Sequence, residues 1–217
     1  MIQSEDTLMH QGMRRRLVDA IRQKGISDEQ VLEAIGTIPR HLFMDSTFVQ
    51  FAYVDKAFPI AVGQTISQPY TVAFQTQLLG IKKYDRVLEV GTGSGYQAAV
   101  LCHLGAVVYT IERQKKLYES TRVALPKLGY RPNFFYGDGY LGLPSYGPFD
   151  KIIVTAGAPS VPEELKLQLK INGVLVVPVG AGGHQIMVVV TRISENEFLE
   201  EERGDFVFVP LLNGVVD

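Results

Sequence analysis

The sequence predicts an α/β fold: a doubly wound, mostly parallel sheet with an antiparallel C-terminal addition and an N-terminal helical extension. Three observations predict it. First, Val87-Leu-Glu-Val-Gly-Thr-Gly-Ser-Gly-Tyr96 runs from a short apolar, β-branched stretch through three glycines into a helix-like segment. Second, strand and helix patterns alternate from residue 86 to about 180, as parallel βαβ units require. Third, beyond Pro178 the helical patterns stop and strand patterns follow one another directly, as antiparallel pairing allows.

The first segments read as helices. Met9, Met13, Leu17, Ala20 and Ile21 stand near helical spacing over residues 8–24. Ser27 with Gln30 resembles a capping box, Ser27 at the N-cap, and Val31, Leu32, Ala34 and Ile35 turn the next helix inward. Pro39 ends it. A short helix is expected over 46–50. Residues 52–68 fit no helix: Phe58-Pro59 breaks a regular ladder, and the segment reads as a hairpin-like loop. Pro69 suits the first position of a helix that Gly80 ends, with Ser67 or Gln68 as its cap.

The nucleotide-binding unit then sets the pattern. Strands are expected at 86–90, 107–111, 133–136, 150–155 and 173–179, and helices at 94–104, 114–128 and 161–170. Pro126 falls late in the second of these. Gln185 to Ile193 is a long strand candidate, and 197–200 with 206–209 supplies at least one more. The chain is expected to be one domain over 1–217. Residues 1–50 form its helical extension, 51–85 a substrate-side loop and helix, 86–180 the cofactor-binding core, and 181–217 the C-terminal strands.

Composition narrows the function. Lys and Arg number 21 against 23 Asp and Glu, a net charge of −2, which gives no basic footprint for nucleic acid. Arg14-Arg-Arg16 reads as a solvated helix face. The one cysteine, Cys102, reads as a small buried hydrophobe and precludes both an intrachain disulfide and a cysteine zinc site. The polar N-terminus lacks a signal-peptide core, and no apolar run approaches a membrane span, so a cytoplasmic setting with no membrane partner is expected.

The glycine turn carries the chemistry. Glycines tolerate positive φ and close ligand approach, and the following helix N-terminus offers free N–H groups to the ligand's polar end. The spacing is G-x-G-x-G over Gly91, Gly93 and Gly95, with Glu89 just before, rather than the dinucleotide G-x-G-x-x-G. Glu112 ends the second strand about 20 residues after Gly91, where such a unit places the carboxylate that binds ribose hydroxyls. Gly137-Asp-Gly139 lies at the next strand's rim, where Asp138 could accept from an adenine amine. NAD and S-adenosylmethionine (AdoMet) both suit this unit taken alone.

In order along the chain, Pro39-Arg40 with Phe43, Gln64-Thr-Ile-Ser-Gln-Pro69, Glu89-Val-Gly-Thr-Gly-Ser-Gly-Tyr-Gln97, Ile111-Glu-Arg113, Gly137-Asp-Gly139, Ile152-Ile-Val-Thr-Ala156, Pro178-Val-Gly180 and Phe208-Val-Pro-Leu211 resemble the protein-L-isoaspartate (D-aspartate) O-methyltransferase family. This is a branch of the class I AdoMet-dependent methyltransferases. Gly157, where many members have a second Ala, and His41-Leu42 after Pro-Arg depart from the pattern. The resemblance implies a Rossmann-like fold and AdoMet as methyl donor. It implies that the acceptor is the free carboxylate of isoaspartyl residues in peptides and proteins, whose repair the methylation begins. It assigns Gln64, Thr65, Ile66, Glu89, Gly91, Thr92, Gly93, Ser94, Gly95, Glu112, Asp138 and Gly139 to the cofactor and Ser67 to catalysis. No metal is implied.

A carboxylate of pKa about 4 is ionised at pH 7 and needs no base. The histidines, His10, His41, His103 and His184, are therefore expected to be surface or satisfied helix residues. Ser67 is expected to hold the acceptor carboxylate by a donated hydrogen bond, with capping of the Pro69 helix as its competing role. An NAD(P) oxidoreductase, a methyltransferase for another acceptor and a non-catalytic AdoMet binder are the competing functions. Glycine spacing and tail weigh against the first, Gln64–Ser67 and the charge against the second, and intact Ser67, Glu89, Glu112 and Asp138 against the third.

Overall fold

The computed structural model describes residues 5–217. Two helices open it, α1 (Leu8–Gln23) and α2 (Glu29–Thr37). They are followed by 3-10 turns over Arg40–Phe43 and Ser46–Phe51. Phe58–Pro59 (β1) pairs antiparallel with Thr65–Ile66 (β2), so the expected hairpin-like loop is a small two-stranded ribbon. Helix α3 (Pro69–Leu79) starts on Pro69 and ends at Gly80, which has φ 57°.

The core sheet contains β3 (Arg86–Val90), β4 (Val107–Glu112), β5 (Asn133–Tyr136), β6 (Phe149–Val154), β7 (Leu169–Val179), β8 (Gln185–Arg192) and β9 (Phe198–Phe206). Their order is β5-β4-β3-β6-β7-β8-β9. The first five are parallel. β8 runs antiparallel to β7, and β9 antiparallel to β8. Helices α4 (Tyr96–His103), α5 (Lys115–Lys127) and α6 (Glu163–Leu167) make three of the crossovers, and a loop with a 3-10 turn at Pro144–Tyr146 makes the one from β5 to β6. The order reverses at β3, between β4 and β6, and such a switch point opens a crevice at the strands' carboxyl ends. Two apolar clusters flank the sheet, one built on Val87, Ala98, Ala99 and Leu101, the other on Leu88, Ile152, Leu175 and Val190. Among the described residues no helix is long and apolar enough to cross a membrane.

Several local expectations are corrected. The N-cap of α2 is Asp28, not Ser27: its carboxylate accepts from the N–H groups of Gln30 and Val31, while the Ser27 N–H donates to Gln77. In α1 the inward stripe is His10, Arg14, Leu17 and Ile21, and Met9 is exposed. Arg14 is no solvated residue. It is buried, donates through both terminal nitrogens to Asp6 and through Nε to the Gly36 carbonyl.

The helix expected over 94–104 starts at Tyr96, because Gly95 is its left-handed N-cap. The helix expected over 161–170 shrinks to α6, and β7 begins at Leu169. Between the helix expected to end at 170 and the strand expected to begin at 173, Asn172-Gly173 has the composition of a turn. It is instead a bulge within a strand: Phe149 pairs with Leu169 and Lys151 with Val174, so β7 inserts extra residues. Asn172 takes φ 64°, and a Cβ on Gly173 would lie 2.8 Å from the Lys170 carbonyl oxygen. The segment 206–209 contributes only Phe206 to a strand. Cys102 is half-buried against the core.

The cap assignment is testable. Asp28→Ala is expected to cost about 1 kcal/mol of stability, and Ser27→Ala a small fraction of that. Thermal or urea unfolding of the pair checks it. Equal losses would return the cap to Ser27.

Candidate active site

The glycine turn is pinned from several sides. The Gly91 N–H donates to the Ile111 carbonyl at 2.9 Å, and Thr155 Oγ1 donates to the Val90 and Gly91 carbonyls. The Gly93 N–H donates to Glu112 Oε2 at 2.9 Å, and the Gly93 carbonyl accepts from Thr121 Oγ1 at 2.9 Å. Glu112 Oε1 accepts from the Gln114 N–H at 2.8 Å. The parallel register of β3 and β4, with Val90 opposite Ile111, brings Glu112 beside the turn.

Glycine serves different purposes at two positions. Gly93 has φ 53° and faces the cleft, where an added Cβ would meet only Ile60 Cδ1 at 3.7 Å. Gly95 has φ 81° and faces α5, where a Cβ would collide with Leu125 and lie 2.8 Å from Thr121 Cγ2. Gly93 supplies the positive φ that the turn needs; Gly95 also lets two elements touch.

Beyond the turn lies an open cleft. Of the residues singled out in the sequence, it brings together Gln64, Thr65, Ile66, Ser67, Gly91, Thr92, Gly93, Ser94, Glu112 and Gly139. Glu89, Gly95 and Asp138 are not on its wall. Asp138 is tied elsewhere: Oδ1 accepts from the Tyr140 N–H at 2.9 Å, and Oδ2 from the Gly214 N–H at 2.6 Å. It anchors the C-terminal segment, whose Val209–Leu212 stretch closes one side of the cleft.

Glu89 lies fully buried beneath the turn. Its Oε2 accepts from Thr110 Oγ1 at 2.5 Å, and Thr110 Oγ1 lies 2.6 Å from Thr92 Oγ1. Thus Glu89 reaches the cleft only through two threonines. Burial pushes its carboxyl up to about 8, and its Oε1 has no partner.

The sequence reading missed Tyr96, Gln97, Gln114 and Thr155, which also line the cleft. Tyr96, Gln97 and Thr155 stood in the quoted motifs but were given no role toward the ligand. Arg40 is wholly buried, with its guanidinium 4.9 Å from the Tyr96 ring centroid. Asp55 was missed altogether. It supplies the cap that Ser67 or Gln68 was expected to give: its Oδ1 accepts from the Tyr70 N–H at 2.8 Å, and Gln68 forms no side-chain cap.

The histidines lie outside the cleft wall. His103 contacts Glu33, and His184 pairs with Asp205. His10 and His41 are neither exposed nor ordinary. Their rings stack 3.9 Å apart in a buried cluster with Tyr53, and His41 Nε2 has no partner. Burial pushes His41 down to about 4. Asp6, His10 and His41 bring three potential ligand atoms together, but the guanidinium of Arg14 already grips the Asp6 carboxylate.

Comparison with known proteins agrees with the geometry. The family model described as protein-L-isoaspartate(D-aspartate) O-methyltransferase matches residues 12–216. A protein-L-isoaspartate O-methyltransferase of Christiangramia forsetii is 63% identical, over 96% of this chain and 98% of its own. A solved protein-L-isoaspartate O-methyltransferase superposes with TM-score 0.83 at 29% identity, over 93% of this chain and 67% of that one. A Plasmodium falciparum structure described as the same enzyme, in complex with S-adenosyl-L-homocysteine, gives TM-score 0.78 at 25% identity over 92% and 98%.

The buried Glu89 makes stability pH-dependent. Its carboxyl titrates near 4.3 when unfolded and at about 8 when folded, so the native state holds the extra proton between those values. Its contribution is full below the lower value and is lost as pH rises through the upper one. Relative to Glu89→Gln, the wild-type protein is expected to lose several degrees of thermal midpoint between pH 6 and pH 9. Parallel midpoint curves would show that Glu89 is ionised throughout.

Proposed function

The chain belongs to the protein-L-isoaspartate(D-aspartate) O-methyltransferase family, and from that premise we propose that its cleft binds AdoMet while Ser67 holds the acceptor. The protein is an AdoMet-dependent carboxyl methyltransferase that esterifies the free carboxylate of isoaspartyl residues and so begins their repair.

The cleft suits the cofactor. Each Glu112 oxygen receives one backbone N–H, and a carboxylate oxygen can accept a second bond. Glu112 is therefore available to ribose hydroxyls while it holds the turn. Gly139 is pressed against Val90: a Cβ there would approach Val90 Cγ1, so a side chain would disturb the cleft floor. Bound AdoMet supplies a methyl group on a sulfonium, open to in-line attack by an oxygen.

One observation carries the assignment of Ser67. A second cavity, lined by Lys24, Tyr70, Phe206 and Phe208 among others, shares Thr65, Ser67, Thr155 and Val209 with the cofactor cleft. Ser67 thus stands on a wall common to both spaces, where donor and acceptor must meet. An already ionised carboxylate needs orientation rather than deprotonation, and orientation can supply about 7–11 kcal/mol. A hydroxyl that donates one hydrogen bond to the carboxylate contributes to it. In this division residues 51–85 form the acceptor side, with Gln64–Ile66 also lining the cofactor cleft, and 86–180 form the cofactor-binding core, within one domain. The acceptor is a peptide or protein rather than a nucleic acid, in keeping with a net charge of −2. A cytoplasmic setting with no metal belongs to the same reading.

Since Asp55 supplies the cap of α3, Ser67→Ala has little stability to lose. Its kcat on an isoaspartyl peptide is expected to fall by the equivalent of about 1.5–3 kcal/mol. AdoMet affinity by calorimetry and the thermal midpoint are expected to stay near wild type. A near-normal kcat would remove Ser67 from the reaction.

A further inference from the structure

We propose that Asp55 is a positioning residue for methyl transfer, holding the backbone around Ser67 in the geometry that the acceptor requires. The proposal rests on the assignment of Ser67 to the acceptor.

Helix α3 opens on Pro69, which has no N–H, so the Tyr70 N–H is the first that needs an acceptor. Asp55 Oδ1 takes it at 2.8 Å. Asp55 Oδ2 takes the Gln68 side-chain amide at 3.1 Å and the Lys24 ammonium at 2.6 Å. The Asp55 side chain is only 13% exposed, so these charge-assisted bonds are partly sheltered from water. Lys24 closes α1, and its ammonium lies 5.5 Å from the Tyr70 ring centroid. One carboxylate therefore ties the end of α1 to the two residues that bracket Pro69.

The other side of Ser67 is fixed independently. The β1–β2 ribbon pairs Pro59 with Thr65 and Phe58 with Ile66, and the Ile60 N–H donates to the Gln64 carbonyl at 2.8 Å. Ser67 lies between these fixed points. The residue before it is held by the ribbon, and the residue after it by Asp55. Asp55 begins the same loop that ends in Ser67, so the loop closes on itself through this carboxylate. With both oxygens occupied by donors, Asp55 is built to hold rather than to exchange protons with the acceptor.

Displacement by about 1 Å can cost on the order of a hundredfold in rate. Asp55→Ala is expected to lower kcat on an isoaspartyl peptide between about tenfold and a hundredfold. S-adenosylhomocysteine affinity, measured by calorimetry, should change less than about twofold, because the cofactor wall itself is untouched. Asp55→Asn keeps an acceptor for Tyr70 and is expected to restore part of the loss. In a double-mutant cycle, Asp55→Ala is expected to cost little further kcat once Ser67 is alanine. Additive losses, or equal loss of S-adenosylhomocysteine affinity and turnover, would overturn the proposal and leave Ser67 standing. Normal turnover by Ser67→Ala alone would overturn both. If Asp55→Ala does not fold, Asp55→Asn and Gln68→Ala enter the same cycle, with additive losses again overturning the proposal.

Discussion

The Glu112 carboxylate bonds at once to the Gly93 N–H and the Gln114 N–H, and the architecture of the cofactor side depends on it. It joins the glycine turn after β3 to the start of α5 after β4. It can do so only because the two strands lie in parallel register with Val90 opposite Ile111. Around that bond the other constraints agree. Thr121 on α5 returns a hydrogen bond to the Gly93 carbonyl, and Gly95 lets α5 approach closely enough to make it. Beneath, Glu89 and Thr110 steady Thr92. A loop of small residues with positive φ would otherwise be soft. Here hydrogen bonds from Thr121 and Thr155 and to Ile111 and Glu112 hold its conformation.

The acceptor side is held by different means. Residues 60–68 lie outside the seven-stranded sheet and its register. Their position comes from a two-residue ribbon and the capped start of α3. Such a segment is more easily displaced than a core strand, which suits its proposed role as a wall between a cofactor cleft and a peptide-binding cavity. The chemistry asks little else of it. The histidines lie outside the cleft wall and the acceptor is ionised, so no proton relay is called for; alignment is the task.

Much of this was legible in the sequence because it is periodic or local. The apolar runs of β3, β4 and β6 and the three glycines announce themselves, as does the offset from Gly91 to Glu112. Where the reading failed, distant contacts decided. Arg14 sits in a basic triplet that looks solvated, yet Asp6, Tyr53 and the Gly36 carbonyl draw it inside. Asn172-Gly173 has the composition of a turn, and only the neighbouring β6 makes it a bulge. Asp138 matches a rim motif, and what the sequence does not show is that its second oxygen also accepts from Gly214 at the far end of the chain. Glu89 precedes the turn, and its side chain is buried beneath the loop, where it accepts from Thr110. Asp55 had no local signal at all. Its partners Lys24, Gln68 and Tyr70 lie far along the chain on either side, and no spacing rule connects them.

The central claim is that this cofactor cleft serves one kind of carboxylate. Its most direct test is methyl incorporation from labelled AdoMet into two peptides that differ only in an isoaspartyl or an ordinary aspartyl linkage. The predicted result is saturable formation of a base-labile methyl ester on the isoaspartyl peptide and none above background on its twin. Equal labelling of both peptides, or labelling of neither by protein that binds AdoMet, would contradict it.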